Sequence, residues 1–291
     1  MQDNDTLRRF LFEDLAIRGE WVNLTESWQT AKQHHNYPNN VMQQLGEALA
    51  AATLLSATIK FDGNLILQAQ GDGDLNSLTV QCTHNRDIRG WARSSEEVTG
   101  ENFAELLGNG RIVLTINANK GEPYQGIVSV AGTQFADSIE NYFTQSEQLK
   151  TRLWLFADEH HAAGLFIQEL PSNDKPHADE NWTRIEALAD TITDKELLYL
   201  PCEQVLQRLF HEEALRLFEA ESVAFKCRCS QEKIETTLLA LGKSEVEQII
   251  KEQGEIIADC EFCSRQYQFD NIDIERIFSA QGINNTSNTQ H

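Results

Sequence analysis

The sequence of 291 residues lacks a hydrophobic run long enough to cross a membrane. No window approaches the roughly eighteen consecutive apolar residues that a membrane helix needs. Residues 1–15 also lack the apolar core of a secretory signal and carry acidic side chains instead. These absences predict a cytoplasmic protein with no membrane partner.

Basic residues are scarce. Lysine and arginine total 24 against 45 aspartates and glutamates, which gives a formal net charge of −21 and a pI near 4.7. Binding to nucleic acid depends on cations that displace the counterions of the phosphates, so this balance argues against a nucleic-acid partner.

Recognisable catalytic motifs are missing as well. The sequence has neither a P-loop nor a Gly-x-Ser-x-Gly elbow, and Gly108-Asn-Gly110 lacks the third glycine of a dinucleotide fingerprint. The stretch that begins at Asp72 resembles a calcium loop, but Ser77 and Thr83 stand where glycine and glutamate are required, so a β-turn is the better interpretation. The adjacent histidines at 34–35 and 160–161 are interpreted as surface or loop residues. We expect no enzyme activity.

Six cysteines are present, and four of them form two close pairs near the C-terminus. The pairs are Cys227-Arg-Cys229 and Cys260-Glu-Phe-Cys263. Two such pairs can each supply half of a tetrahedral thiolate site, which predicts one zinc ion bound by all four sulfurs. The same close thiolates could be oxidised, so the spacing alone leaves open a structural staple and a sulfur switch. Cys82 and Cys202 are isolated and are interpreted as buried bystanders.

Hydrophobic periodicity predicts an α+β protein with three parts and a tail. Residues 1–172 alternate strands with an alanine-rich helix through Leu45 and Leu49, which is typical of an α/β sheet domain. Residues 173–222 form an amphipathic helical linker whose apolar stripe must be covered in the native state. Residues 223–283 form the zinc module, which is too small to fold easily without a metal. Residues 284–291 are polar and are expected to be disordered.

Local signals predict finer detail. Two N-terminal strands are expected to turn near Gly19, and Leu215, Leu217 and Phe218 are expected to continue the helical linker. Lys120-Gly-Glu-Pro123 indicates a hairpin, and Pro171 to Glu180 reads as a domain boundary. Three sets of residues are expected to cap helices: Asp194 before Leu197, Ser230 with Gly242 around one helix, and Ser244 with Glu247 as the capping box of the next.

The C-terminal phrases closely resemble the redox-regulated 33 kDa heat-shock chaperonin family of bacteria. These phrases are Phe225-Lys-Cys227-Arg-Cys229-Ser230, Gly254-Glu-Ile256, Cys260-x-x-Cys263 and Tyr267-x-Phe269. Further matches span nearly the whole chain: Gln70-Gly-Asp-Gly73, Arg89-Gly90, Gly108-Asn-Gly110, Tyr124-Gln-Gly126 and Phe210-His-Glu-Glu213.

The resemblance implies an ATP-independent holdase that is inactive while its cysteines are reduced and bind zinc. It implies that oxidation pairs Cys227 with Cys229 and Cys260 with Cys263, that zinc leaves, and that the module unfolds. The linker would then lose its support and expose apolar surface to unfolding client proteins, and the activated protein would be a homodimer. The alternative is a structural zinc-ribbon protein that binds one fixed protein partner.

Overall fold

The computed structural model describes residues 4–59, 62–119, 122–171 and 177–286, with side chains described as far as residue 279. The chain folds as two compact units, Met1–Lys226 and Cys227–His291. Both helices and sheets are present, so the predicted α+β class is confirmed. Among the described residues, no helix combines the length and the apolar character that crossing a membrane would require.

The strands of the described chain are introduced here in order. They are β1 (Thr6–Phe12), β2 (Ile17–Leu24), β3 (Gly63–Gln70), β4 (Leu75–Thr83), β5 (Asp87–Ser94), β6 (Arg111–Ala118), β7 (Tyr124–Ser129), β8 (Thr151–Ala157), β9 (Ala162–Glu169), β10 (Leu215–Leu217), β11 (Glu221–Ser222), β12 (Ala224–Phe225), β13 (Ile256–Asp259) and β14 (Gln266–Phe269).

The helices are distributed over both units. They are α1 (Glu26–Lys32), α2 (Asn39–Thr58), α3 (Phe103–Leu107), α4 (Phe135–Tyr142), α5 (Ala178–Ala189), α6 (Asp194–Tyr199), α7 (Cys202–Phe210), α8 (Gln231–Leu241), α9 (Lys243–Gln253) and α10 (Asn271–Thr286). A single π-helical turn, Phe143–Glu147, follows α4.

The first unit contains two sheets that enclose α2. The first sheet has the order β10-β1-β2-β9-β8, with β11 also paired to β1, and the second has the order β12-β5-β4-β3-β6-β7. Helix α2 contacts strands of both sheets. Its side chains are buried almost all round, including Leu45, Leu49 and the alanines at 50–52. A helix that is apolar on every side is stable only inside a core, which is where α2 lies.

The opposite face of the first sheet is covered by α5, α6 and α7. Phe10, Phe12 and Trp21 of the sheet are almost fully buried and pack in one cluster with residues of these helices. The helix residues of that cluster are Trp182, Ile185, Ala189, Leu197, Leu198, Cys202, Val205, Leu206, Leu209 and Phe210. The linker helices are amphipathic, since charged residues such as Glu180 and Glu203 lie on their exposed sides.

The predicted turn near Gly19 is wrong, because Gly19 lies inside β2 opposite Phe10. A Cβ atom at Gly19 would come within 2.1 Å of the Phe10 ring, so the glycine makes room for that ring across the strands. The turn lies at residues 13–16 instead. Glycine in a strand pattern can mark such a close approach as well as a turn.

Three other local predictions need correction. Leu215 and Leu217 do not extend a helix but form β10, which pairs with β1. Thr193, not Asp194, caps α6 through a capping box with Glu196. Helix α9 begins directly after Gly242 and has no side-chain cap, so the capping box predicted from Ser244 is absent.

Some predictions fall partly outside the described residues. Residues 120–121 of the predicted hairpin turn are outside them, although β6 and β7 on either side do pair as antiparallel strands. Residues 172–176 of the predicted boundary are also outside, and α5 begins at Ala178. Of the predicted tail, residues 284–286 belong to α10 and residues 287–291 lie outside the described chain.

Candidate metal centre

The four C-terminal cysteines meet at one point of the second unit. One sulfur from each of Cys227, Cys229, Cys260 and Cys263 lies within 4.8 Å of the other three. The Sγ atoms of Cys227 and Cys260 are 3.6 Å apart, and those of Cys229 and Cys263 are 3.5 Å apart. All four are free thiols and not disulfides. The cluster is therefore a candidate metal site.

The first pair lies directly before α8. Strand β12 ends at Phe225, and Ser230 caps α8 by accepting a hydrogen bond at its Oγ from the Lys233 amide, 3.4 Å away. The Lys233 ammonium also donates to the Arg228 carbonyl at 2.5 Å, which ties the intervening residue to the same helix. A serine at this position satisfies one of the free amides of the helix start. The predicted cap at Ser230 is confirmed, and Gly242 ends α8 as expected.

The second pair lies in the turn of a two-stranded hairpin. Strands β13 and β14 are antiparallel, and the Cys260 amide donates to the Arg265 carbonyl at 3.0 Å. The Ser264 amide donates to the Cys260 carbonyl at 2.7 Å, and Ser264 has a left-handed φ of 52°. This tight turn aims Cys260 and Cys263 in one direction.

The donor set fits a tetrahedral thiolate-binding ion. With metal–sulfur bonds of about 2.3 Å, the sulfurs of a tetrahedral zinc site lie about 3.8 Å apart. The two sulfur–sulfur distances of 3.6 and 3.5 Å are close to that value. Four soft sulfur donors and no oxygen donor favour zinc over the hard cations calcium and magnesium.

The thiols of the cluster differ in acidity. Burial raises the pKa of the Cys260 thiol and brings that of the Cys263 thiol to about 12. At Cys229 burial is outweighed by hydrogen bonds from the Tyr267 hydroxyl, 3.2 Å away, and from the neighbouring thiols, which lower its pKa to about 7. The groups around Cys229 therefore favour its thiolate form.

Tyr267 is the residue of the site that sequence reasoning missed. Its hydroxyl donates to the Cys229 sulfur, so it stabilises the thiolate form of a candidate ligand. The one signal in the sequence was its place in the phrase Tyr267-x-Phe269, which did not indicate that role.

The second unit has a small apolar core. Its fully or nearly buried side chains form one cluster: Leu238, Val246, Ile256, Phe269, Ile274 and Ile277. A core of this size supplies little stability, and small domains of this kind are usually held by a metal or by disulfides. A metal ion bound by the cysteine cluster would supply this additional stability.

The other two cysteines lie elsewhere. Cys82 and Cys202 are both fully buried in the first unit, and neither belongs to the cluster. The Cys82 thiol donates to the Ser56 hydroxyl at 3.2 Å, and burial raises its pKa to about 11. Such a thiol is a poor nucleophile at neutral pH, because the thiolate is the reactive form.

The calcium-loop and histidine candidates from the sequence make contacts within the first unit. Asp72 accepts a hydrogen bond from the Asn109 amide at 2.7 Å, and Asp74 accepts one from the Thr99 amide at 2.7 Å. These carboxylates therefore join loops within the first unit. His161 packs edge-to-face on Tyr199, with ring centroids 4.7 Å apart.

Comparison with known proteins gives a consistent result over the whole chain. The family model described as Hsp33 protein matches residues 5–270. A 33 kDa chaperonin of Nitrosococcus oceani is 52% identical over 291 residues, covering 100% of both chains, and one of Pseudomonas aeruginosa is 43% identical over 297 residues with the same coverage. The crystal structure of a 33 kDa chaperonin from Thermotoga maritima has a TM-score of 0.83 and 22% identity, and covers 95% of this chain and 99% of that one.

The fold and the four-cysteine cluster therefore define a protein of two units, one built on two sheets and one that contains a candidate thiolate metal site. The chain belongs to the Hsp33 family.

Proposed function

We propose that the protein is a redox-regulated, ATP-independent chaperone that holds unfolding client proteins after its four clustered cysteines are oxidised. It acts by binding and not by catalysis. The names of its relatives, 33 kDa chaperonins, support the chaperone role. The observation that carries the proposal is the apolar face of the first sheet, which is covered by amphipathic helices that precede the cysteine unit in the chain.

The resting form binds one zinc ion through Cys227, Cys229, Cys260 and Cys263. The short sulfur–sulfur distances and the all-thiol donor set support this assignment. The ion would keep the four thiolates deprotonated and would join β13 and β14 to the segment before α8. In zinc-finger peptides, such binding contributes about 10–16 kcal/mol to folding.

Activation is a sulfur oxidation. A thiolate attacks a peroxide oxygen and becomes a sulfenic acid as the O–O bond breaks and water or hydroxide leaves. The partner thiolate then attacks that sulfur, forms the S–S bond and releases a second hydroxide, so each disulfide transfers two electrons to one peroxide. We assign the pairs as Cys227 with Cys229 and Cys260 with Cys263, on the basis of the family resemblance. The reaction consumes the metal ligands, and the small core of the unit is then insufficient to keep it folded.

The client-binding face is the surface under α5–α7. Its sheet residues include Phe10, Phe12, Trp21, Leu165 and Ile167, all almost completely buried at present. Several large apolar side chains on one sheet face form a patch that can bind unfolded chains without a sequence code. The linker helices can leave this face and stay in water because their outer sides are already solvated, whereas a helix that is apolar all round could not.

The partners in this proposal are unfolded or partly unfolded proteins in the cytoplasm. The activated form is a homodimer, and neither nucleic acid nor a membrane is a partner. The formal net charge of −21 helps to keep the protein in solution while apolar surface is exposed.

The test is made on the zinc-loaded protein treated with hydrogen peroxide. We expect a chromogenic chelator to detect zinc release, and the treated protein to suppress light scattering by an unrelated protein that unfolds on heating. Peptide mapping by mass spectrometry should find the two disulfides within the close pairs.

A double variant, Cys82→Ser with Cys202→Ser, is the matched control and should behave like the wild type. Retention of zinc under peroxide, or zinc release without suppression of aggregation, would contradict the proposal. The second of these outcomes would favour a structural zinc-ribbon protein with one fixed partner.

A further inference from the structure

If β10 and β11, which follow the linker helices in the chain, are left aside, β1 is the edge strand of the first sheet. On one side it pairs with β2, and on the other it pairs only with β10 and β11, which come from residues 214–223 after the linker helices. We call residues 214–223 the edge segment. If the edge segment leaves, β1 becomes an uncovered strand with free backbone groups along its outer side.

Backbone hydrogen bonds hold the edge segment along most of β1. The Phe218 amide donates to the Arg9 carbonyl and the Glu13 amide to the Ala214 carbonyl, both at 2.9 Å. The Val223 amide donates to the Asp5 carbonyl at 2.8 Å. Leu11 lies opposite Arg216, and the alternation of an antiparallel ladder places the Leu11 amide on this outer side.

The side chains of the edge segment show what this edge accepts. Leu215 lies opposite Phe12 and Leu217 opposite Phe10, and both leucines pack on the cluster that contains those rings. Farther along, Glu221 forms ion pairs with Arg9 at 2.9 Å and with Arg86 at 3.0 Å. The bound pattern is two apolar residues at a spacing of two, followed by a carboxylate four residues after the second.

Arg86 makes this last contact specific. Its side chain is mostly buried, and its guanidinium also donates to the Ser56 carbonyl and hydroxyl, each at 3.1 Å. These bonds fix its position at the C-terminal turn of α2. Loss of Glu221 would leave this fixed cation, together with Arg9, without its acidic partner, so a new occupant that brings a carboxylate would be favoured.

We propose that the outer edge of β1 is a second element of the client-binding site, where an extended client segment adds as a strand in place of the edge segment. This inference rests on the proposed function and names the form in which a client binds. The edge segment is then an internal competitor for that place. Main-chain bonds to an edge strand provide affinity for any extended chain, and the apolar and acidic positions provide preference.

The probe is a fluorescent peptide with the sequence of residues 214–223, added to the oxidised full-length protein. We expect it to bind the oxidised protein and not the reduced protein, in which the site is occupied. A copy N-methylated at the position of Arg216 loses an amide that points to β1 and should bind at least tenfold more weakly. The matched control is N-methylated at the position of Leu217, whose amide points away, and should lose much less affinity.

A pair of protein variants tests the same main-chain bonds by changing β1 and not the peptide. Leu11→Pro removes the outward amide of β1 and leaves the bonds to β2 in place, whereas Leu11→Ala keeps the amide. We expect tenfold weaker peptide binding for Leu11→Pro than for Leu11→Ala after oxidation. Since a proline can impair folding, the N-methylated peptides give the same test on the wild type.

Aggregation suppression is measured in the same oxidised samples. Equal binding of the two N-methylated peptides, or no peptide binding while suppression is intact, overturns the edge site and leaves the proposed function standing. Absence of suppression overturns the proposed function itself, and this inference with it.

Discussion

The two faces of the first sheet are covered in different ways. One face packs on α2, whose side chains are buried on nearly every side between the two sheets. The other packs on α5–α7, each of which is buried on one side and charged on the other. A helix that is apolar all round has no stable place in water, while an amphipathic helix can leave a core and remain solvated on one side. We therefore expect the first cover to be permanent and the second to be releasable.

Among the changes considered, metal removal should separate the behaviour of α2 from that of α5–α7 most strongly. Chelation of zinc, or Cys260→Ser, should cost the second unit on the order of 10 kcal/mol and unfold it. Amide hydrogen exchange should show loss of protection in α8–α10, then faster exchange in α5–α7, and unchanged protection in α2. Equal loss of protection in α2 and α5–α7 would contradict the distinction between the two covers.

Truncation of an aromatic side chain under the linker should have the next largest effect. The ring of Phe210 lies edge-to-face on Phe12, with centroids 5.0 Å apart. Phe210→Ala should destabilise the linker cover by about 3–5 kcal/mol and give partial aggregation suppression without oxidant. The control Leu49→Ala, in α2, should lower the melting temperature without this gain of activity. A gain of activity in both variants, or in neither, would argue against a selectively releasable cover.

The smallest effect concerns a carboxyl group in α2. Burial raises the pKa of Glu47 to about 7, against which a hydrogen bond from Gln43 acts only weakly. The folded state therefore favours the protonated acid, and stability that is complete below about pH 4.5 is lost as the pH rises through 7. Glu47→Gln should accordingly be nearly neutral at pH 4.5 and stabilise the first unit by up to about 3 kcal/mol at pH 8.

Urea denaturation at both pH values checks this prediction, with chaperone activity after oxidation expected to be unchanged. A stabilisation that is independent of pH would show that Glu47 is not the titrating group.

The sequence was most informative where the signal is local. The close spacing within each cysteine pair and the cap at Ser230 both depend on neighbours close in the chain. The buried helix around Leu45 and Leu49 was also predicted correctly, because a continuous apolar pattern reports burial directly.

Two local predictions, the helix caps at Asp194 and Ser244, were wrong, and the other errors arose where the partner is distant. Leu215 and Leu217 became a strand because β1, some 200 residues earlier in the chain, offers an unpaired edge. Gly19 is required by the Phe10 ring on the next strand, which no local turn rule detects. Tyr267 acquired its role through Cys229, 38 residues away in the chain.

The covalent attachment of the edge segment has a further consequence. It follows α7 after only a short connection, so it stays near β1 even after it has been released. While the linker is folded, such a tethered competitor acts at an effective concentration in the millimolar range, and this concentration falls when the linker unfolds into a longer flexible connection. Once the cysteines are reduced again and the second unit refolds, we expect the segment to displace bound chains from the edge by mass action. Client release would then need no nucleotide, because the edge segment of the protein itself would displace the client.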